Sequence, residues 1–565
     1  MLRKTRSYAR YWPVVFLAAC GGADPVAPTL AMCKPGQSAV LLGPGEAITV
    51  DPLTTSGCVV FTANPSPDSA KYIVVPQAAT TMPDFHSSFK LAGAALVMTA
   101  PPISAALQGS PSSPAQAFHD RLRMMEQDRS YPMTARARGV PGFEANTTPY
   151  PCPITVGGGC TFKVLSSLTN STFTQDVPAT VRSVGQHFVI YVDNAAPAPG
   201  LSGAQLDSLN TVFDTLVYKI DTTAFGRESD IDGNGKVLVL MSNVINRLVT
   251  TAQCQSSGYV VGFFFGADID RATRSAWNNG EVFYSVVPDP AGTLSCAHSI
   301  TQVEAQLPVT FAHEFQHMIS YNQHILVKGA TAPEELWLGE AMSHYAEERV
   351  GRAFLAVGDT VHYCAHVRGV LYDFGRYVAN PGNTGLVTLT GLGTLDERGA
   401  WWSFVRFLVD QYAADTSNAA ADAFTRNLVG TNLRGVANVT AVTAQPFETL
   451  SRRWVLANYV SDLPGFTAPA NMKYKHWSFR AAFPLVHDAC SSLPADFPST
   501  YPLEPSPTAG SATNAVGTMY AGSAGTYQLL VQAPSGPPFT LLFSDASGAV
   551  LQSSMVPRLQ IMRIR

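Results

Sequence analysis

Apolar residues along the 565-residue chain fall into short runs toward both ends and take helical spacing mainly in the middle. Between residues 33 and 100, Ala39–Leu42, Cys58–Phe61 and Tyr72–Val75 are strand-like runs separated by Gly, Pro, Ser and Asp, which predicts a small β-domain. Pro- and Ser-rich sequence from Pro101 to Pro114 leads into a short helix over Phe118–Gln127 and then irregular sequence, so 101–150 reads as linker. From His187 onward, strands at Phe188–Val192, Val237–Met241 and Tyr259–Phe265 surround helical spacing over Leu201–Ile220. A helix over Thr301–Tyr321 follows, with Val303, Leu307, Phe311, Phe315, Met318 and Ile319 available for burial. Helical spacing recurs at Leu336–Val350, Ala400–Tyr412, Ala419–Leu428 and Pro446–Val460, and strands resume after residue 470, ending with Leu559–Ile564. There is no internal repeat.

Composition narrows the classes. Charged residues make up 14% of the chain with a net of −4, so bulk electrostatics nominates no nucleic-acid partner. With 46% hydrophobic and 10% aromatic residues, the chain has enough apolar surface to fold. Arg3, Lys4, Arg6 and Arg10 precede the apolar run Val14–Ala19, which has signal-peptide rather than membrane-span length. Leu17-Ala18-Ala19-Cys20 followed by Gly21 resembles a bacterial lipobox, which implies cleavage before Cys20, its lipidation, and a place on the bacterial cell envelope, anchored at the membrane surface; an ordinary secretory signal would leave the protein exported. Eight further cysteines suit disulfides in that setting. Neighbours in sequence would pair 33 with 58, 152 with 160, 254 with 296 and 364 with 490, the first three being favoured over the last.

His313-Glu314-Phe315-Gln316-His317 has the pattern H-E-x-x-H inside a predicted helix. Four residues advance a helix by about 400°, so both imidazoles project from nearly one face and can reach one metal ion. Glu314 beside them can serve as general base toward water at such an ion. A solvated helix face could carry the same string, which arises by chance on the order of once per hundred such sequences. The downstream segment therefore decides. Pro333 opens a second amphipathic helix over Glu335–Glu348, rich in carboxylates.

At Trp337-Leu338-Gly339-Glu340 the chain resembles the gluzincin metallopeptidases, whose second helix bears a W-L-x-E segment and whose Glu completes a His, His, Glu zinc site. The resemblance implies Zn2+ held by His313, His317 and Glu340, with Glu314 as base. The 22 residues between His317 and Glu340 make a longer interval than in the aminopeptidase-N type. His313–Ile319 together with Trp337–Glu348 is most similar to the hyicolysin family, and Gly399–Trp402 and Arg453–Tyr459 extend the likeness over residues 187–465. The implied architecture is multidomain: an α+β gluzincin-like metallopeptidase core with N- and C-terminal β-rich domains. Its parts are a leader at 1–19, a tether at 20–32, a β-domain at 33–100, a linker at 101–150, a catalytic N-subdomain with the zinc helices at 151–350, a helical C-subdomain at 351–465 and a β-rich domain at 466–565.

Other residues take lesser parts. Glu334 and Glu335 sit in the first turn, where acidic residues gain from the helix dipole without a metal. His344 and Glu347, one and two turns past Glu340, are either ordinary helix residues or supports that orient an imidazole. Related gluzincins steady the oxyanion with a Tyr or His; the segment Asp396–Ala400 has no Tyr, which leaves Arg398 as a cationic substitute. His362 and His366 share helical spacing but lack the accompanying Glu, and Phe315, Trp337, Trp401 and Trp402 read as core. Asp230-Ile231-Asp232-Gly233-Asn234-Gly235 follows the start of an EF-hand loop, with Asp230, Asp232 and Asn234 as the candidate ligands, but Met241 stands where the closing Glu belongs. It is either an incomplete Ca2+ site or a plain turn. The expected function is a zinc-dependent endopeptidase acting on extracellular or periplasmic proteins or peptides, with no membrane contact beyond the anchor. The rivals are an aminopeptidase-like hydrolase on the same site and a non-catalytic adhesive lipoprotein.

Overall fold

A computed structural model describes residues 39–94, 113–128, 152–389, 394–490 and 493–565. The leader at 1–19, Cys20, the tether and Cys33 lie outside the described residues.

Strands from the two ends of the chain interleave. One five-stranded sheet runs Ala39–Val40, Cys58–Phe61, Phe539–Ser544, His86–Ala94, Asn514–Tyr520, and the other runs Pro507–Ala509, Gln528–Gln532, Ala70–Ala78, Pro557–Arg563, Ala47–Val50. Val59 pairs with Leu541 and Val74 with Ile561, and the Phe61 and Phe539 rings stack between the sheets at 4.3 Å. The separate β-domains expected at 33–100 and 466–565 are thus corrected to one sandwich. The physical reason is that each set of strands alone would leave open edges and too little core, and each set covers the other's edges. Residues 466–490 also depart from the expected strands, since Phe479–Ala489 is a helix.

The middle of the chain builds a six-stranded mixed sheet in the order Gly262–Phe264, Val282–Ser285, Val237–Met241, Phe188–Asp193, Thr174–Val184, Gly159–Leu165. Val237–Met241 is buried throughout, as its unbroken apolar run requires of a parallel strand covered on both faces. The helix Ile300–Tyr321, called the motif helix below, lies on this sheet and is capped by the Ser299 side chain, which accepts from Gln302 N. Phe311 and Phe315 bury against Phe188, with ring centroids 4.9 and 5.9 Å away, and Phe311 also meets Phe283 at 5.1 Å. Each such ring contributes about 1.5–3 kcal/mol of burial.

Beyond the sheet stand the carboxylate helix Leu336–Ala356, the helix Thr360–Ala379 and the bracing helix Leu395–Tyr412. Thr360–Ala379 was not among the expected helices. One hydrophobic cluster runs through 152–350 and on into 351–465, so these two stretches share a core rather than dividing as subdomains. Disulfides join Cys152 to Cys160, Cys254 to Cys296 and Cys364 to Cys490. The last pair, ranked behind the other three, is present because the fold brings Thr360–Ala379 and the end of Phe479–Ala489 together, with the two Cα atoms 5.4 Å apart.

Candidate metal centre

The apolar stripe that seats the motif helix on the sheet turns His313 and His317 toward the carboxylate helix. There the Nε2 atoms of His313 and His317 lie 3.2 Å apart, with Glu340 Oε2 3.5 Å from the first and Oε1 3.3 Å from the second. Two nitrogens and an oxygen bound about 2.0–2.1 Å from a tetrahedral zinc stand about 3.3 Å from one another. The donor set and its spacing therefore fit zinc. Ser343 Oγ donates to Gln316 Oε1 at 2.6 Å and fixes one helix against the other.

Buried neighbours hold these donors in place. His313 Nδ1 faces Glu347 Oε1 at 2.7 Å, and His344 Nδ1 lies 3.0 Å from the same oxygen. Arg398 Nη1 donates to Glu340 Oε2, and its Nη2 donates to Asp120 Oδ1 at 3.0 Å. The bracing helix comes this close because residue 399 is glycine: a Cβ there would sit 2.2 Å from the Asp373 carbonyl oxygen. The sequence reading offered Arg398 as a free cation for an oxyanion. The structure instead engages its guanidinium between two carboxylates.

Glu314 is 1% exposed and doubly anchored. Phe264 N donates to Oε2 at 3.0 Å, while Oε1 lies 3.3 Å from His119 Nδ1. Arg123 stands 3.8 Å from Oε2 and donates to the Phe264 carbonyl at 2.7 Å. His119, Asp120, Arg123 and Glu126 all come from the helix Pro114–Asp128, in the stretch read as linker. That reading is corrected: this helix closes one side of the centre, with Glu126 accepting from Gly266 N at 2.9 Å. Its sequence gave no distinct signal, because a charged face at helical spacing is also what a solvated helix shows.

The electrostatics follow from burial and partners. Burial alone would depress His313, but hydrogen bonds it donates to Glu340 and Glu347 outweigh it and carry it up to about 10. Burial, with Arg123 adding, lowers His317 to about 4. Burial works against ionisation of Glu340, yet Arg398 and the two imidazoles hold it well below the ordinary carboxylate range. Glu314 is lowered in the same sense, its burial overcome by His119 and Arg123. Burial pushes Asp120 and Glu126 up to about 7.

A cleft of about 340 Å³ opens beside His313, Glu314 and His344. Larger clefts, of about 540 and 570 Å³, lie elsewhere and hold none of these side chains. One wall is the sheet's edge strand, where Gly262 lines the cleft. A Cβ at 262 would fall 2.6 Å from the Tyr284 carbonyl oxygen and 2.7 Å from the Phe283 ring. Val261 O accepts from Val286 N across the sheet, whereas Phe264 sends its N–H and C=O outward to Glu314 and Arg123. By the alternation of an antiparallel pair, Gly262 turns its backbone groups to the same outward side.

Of the other residues read from the sequence, Glu334 accepts from Gly435 N and Asn438 Nδ2, and Glu335 from Trp337 Nε1, so both serve packing. Asp359 caps the helix Thr360–Ala379 by accepting from His362 N and also faces His362 Nδ1, and His366 faces the His362 carbonyl. Trp401 and Trp402 are fully buried. Asp230, Asp232 and Asn234 lie away from this centre, near Glu281.

No protein-family model matches the chain. Over 147 residues it is 29% identical to the neutral metalloprotease ShpI of Staphylococcus hyicus, a match covering 26% of this chain and 31% of that protein. The chain thus spans under a third of the length of the curated relative it matches. Among solved structures, yeast LTA4 hydrolase in complex with bestatin aligns over 52% of this chain and 41% of its own, at 10% identity and a TM-score of 0.29. A TM-score that low does not establish a shared fold.

Proposed function

We propose that this protein is a zinc-dependent endopeptidase, with His313, His317 and Glu340 as ligands and Glu314 as general base. The observation that carries the reading is the convergence of two imidazole nitrogens and a carboxylate at 3.2–3.5 Å, with a second buried carboxylate beside them. The partial likeness to a neutral metalloprotease supports it. Zinc held by the three side chains would supply a Lewis acid that polarises a peptide carbonyl and acidifies water to a pKa of about 7.

The chain's own groups do the rest. Glu314, ionised and fixed by Phe264 N and His119, accepts a proton from attacking water and returns it to the leaving amine. The outward N–H and C=O of Gly262 give an extended peptide a strand edge to pair with, which sets its carbonyl beside the histidines. Arg398 and Glu347 act through Glu340 and His313 as positioning residues. An aminopeptidase would need a free anion to capture the substrate amine. Glu347 is engaged by two imidazoles, and burial pushes Asp373, the other carboxylate lining the cleft beside Glu314, well up from the usual range. Three disulfides among the described residues support an oxidising, extracytoplasmic setting, consistent with a leader and lipidation at Cys20.

Glu314→Gln tests the reading. The variant should retain one zinc per chain by metal analysis and lose cleavage of casein and of an N-terminally blocked peptide, with a chelator abolishing activity in the parent. Undiminished cleavage by the variant refutes the base assignment. Cleavage confined to unblocked peptides refutes the endopeptidase assignment in favour of an aminopeptidase. A parent that binds no zinc and cleaves nothing leaves the adhesive alternative standing.

A further inference from the structure

The loop Asp230–Gly235 takes no part in the chemistry above. It lacks the glutamate that closes an EF-hand loop, because Met241, at the twelfth position, is buried in a strand. The fold supplies a carboxylate from another part of the chain. Strand Val282–Ser285 runs parallel to Val237–Met241, and Leu238 N donates to the Glu281 carbonyl at 2.7 Å, which brings Glu281 against the loop. One oxygen each of Asp230, Asp232 and Glu281 then lie within 4.8 Å of one another. Oxygens bound at about 2.3–2.6 Å around one ion are spaced no more than about 5 Å apart.

Glu281 separates this arrangement from an ordinary acidic cluster. The residue is 1% exposed, and its Oε1 accepts from Ser229 Oγ and from Ile231 N at 3.0 Å. Its Oε2 is buried without a hydrogen-bond partner. Among the described residues no basic side chain forms an ion pair with the group: Lys236, within the same segment, sends its ammonium to the carbonyls of Gly185 and Gln186. A buried carboxylate oxygen with no donor, facing two more carboxylates, is in the state a bound cation relieves.

We propose that Asp230, Asp232, Asn234 and Glu281 form a calcium site, with Glu281 as the remote closing ligand of the loop. All the donors are oxygens, three of them from carboxylates, and they come from an irregular loop plus a strand end, which suits Ca2+ over the smaller, strictly octahedral Mg2+ and over metals that prefer nitrogen or sulfur. The ion ties the segment between the helix ending at Phe225 and strand Val237–Met241 to the start of Val282–Ser285. Phe283 of that strand packs on Phe311 of the motif helix, so calcium stabilises the sheet on which the candidate zinc centre rests. The inference does not depend on the peptidase reading.

The test uses the full chain carrying Glu314→Gln to exclude self-cleavage, dialysed into calcium-free buffer containing zinc. CaCl2 is titrated by calorimetry, and thermal melts are recorded with CaCl2 and with MgCl2. One equivalent of Ca2+ should bind with half-saturation between about 10⁻⁵ and 10⁻³ M, from the weakest sensor sites to the extracellular modules. A hundredfold excess over half-saturation should raise Tm by about 5 °C. Glu281→Gln and Asp232→Asn should each weaken binding at least tenfold and abolish the shift, with a calcium-free Tm no lower than the parent's because repulsion is relieved. Absence of binding in the parent, an unchanged calcium response in both variants, or an equal response to MgCl2 overturns the proposal. Zinc content is read in parallel, so loss of zinc with calcium binding intact counts against the peptidase reading alone.

Discussion

Replacing Glu347 separates a ligand from its support. Glu347 and His313 are 8% and 9% exposed, and Glu347 Oε1 stands 2.7 Å from His313 Nδ1. With Nε2 given to a metal, Nδ1 carries the proton and donates it to Glu347, which fixes the tautomer and strengthens the imidazole as a donor. Glu347→Ala removes the acceptor and leaves a buried N–H unsatisfied. A hydrogen bond to a charged group contributes about 1.5–3 kcal/mol, and at about 1.4 kcal/mol per decade that is roughly a 10- to 150-fold rise in the zinc Kd. Losses of about 10- to 100-fold are usual when such a support is removed. Glu347→Gln keeps an oxygen acceptor without the charge and should cost about tenfold, at the lower end of that range. Glu340→Ala deletes one of three donors and should weaken zinc more than either. Competition against a zinc chelator of known affinity, with melts to confirm folding, ranks the variants. Equal affinity in the parent and Glu347→Ala, or weaker binding by Glu347→Ala than by Glu340→Ala, refutes the assignment.

Two further predictions rest on other parts of the fold. His119→Ala should leave zinc content unchanged and lower kcat by about ten- to a hundredfold, the worth of one hydrogen bond to a charged group, since His119 Nδ1 lies 3.3 Å from Glu314 Oε1; an unaltered kcat would show that the helix Pro114–Asp128 only covers the site. Deletion of residues 507–565 removes a partner from every N-terminal strand of the sandwich except Ala39–Val40, so limited proteolysis should cut within 39–94 in the truncated chain and spare it in the full one. A protected 39–94 segment in the truncated protein would mean that the N-terminal strands fold alone.

How much of this was legible in the sequence depended on how local the determining interactions are. The motif helix, the carboxylate helix and the bracing helix follow from apolar spacing within about twenty residues, and the structure brings His313, His317 and Glu340 together from two of them. The sandwich follows from pairings such as Val74 with Ile561, which no local pattern encodes because strands that need partners look alike wherever the partners come from. Glu281 was invisible for the same reason: it meets Asp232 only through the register of two parallel strands.

The least legible part is the charge around the centre, and its composition carries its own argument. Asp120, Glu126, Glu314, Glu340 and Glu347 are all under a tenth exposed, and among the described residues the fixed cations paired with them are Arg123 and Arg398. In the sequence these acids are scattered over more than two hundred residues and look like ordinary surface positions. Burial raises Asp120 and Glu126, and the neighbouring carboxylates add repulsion that Arg398 and Arg123 only partly offset. The imidazoles make up part of the difference only by taking protons, which burial resists in His317 and His344. A divalent cation between His313, His317 and Glu340 would supply the missing charge without protonating either imidazole. Its loss should therefore loosen the helix Pro114–Asp128 as well as the two ligand helices, because Asp120 reaches Glu340 only through Arg398.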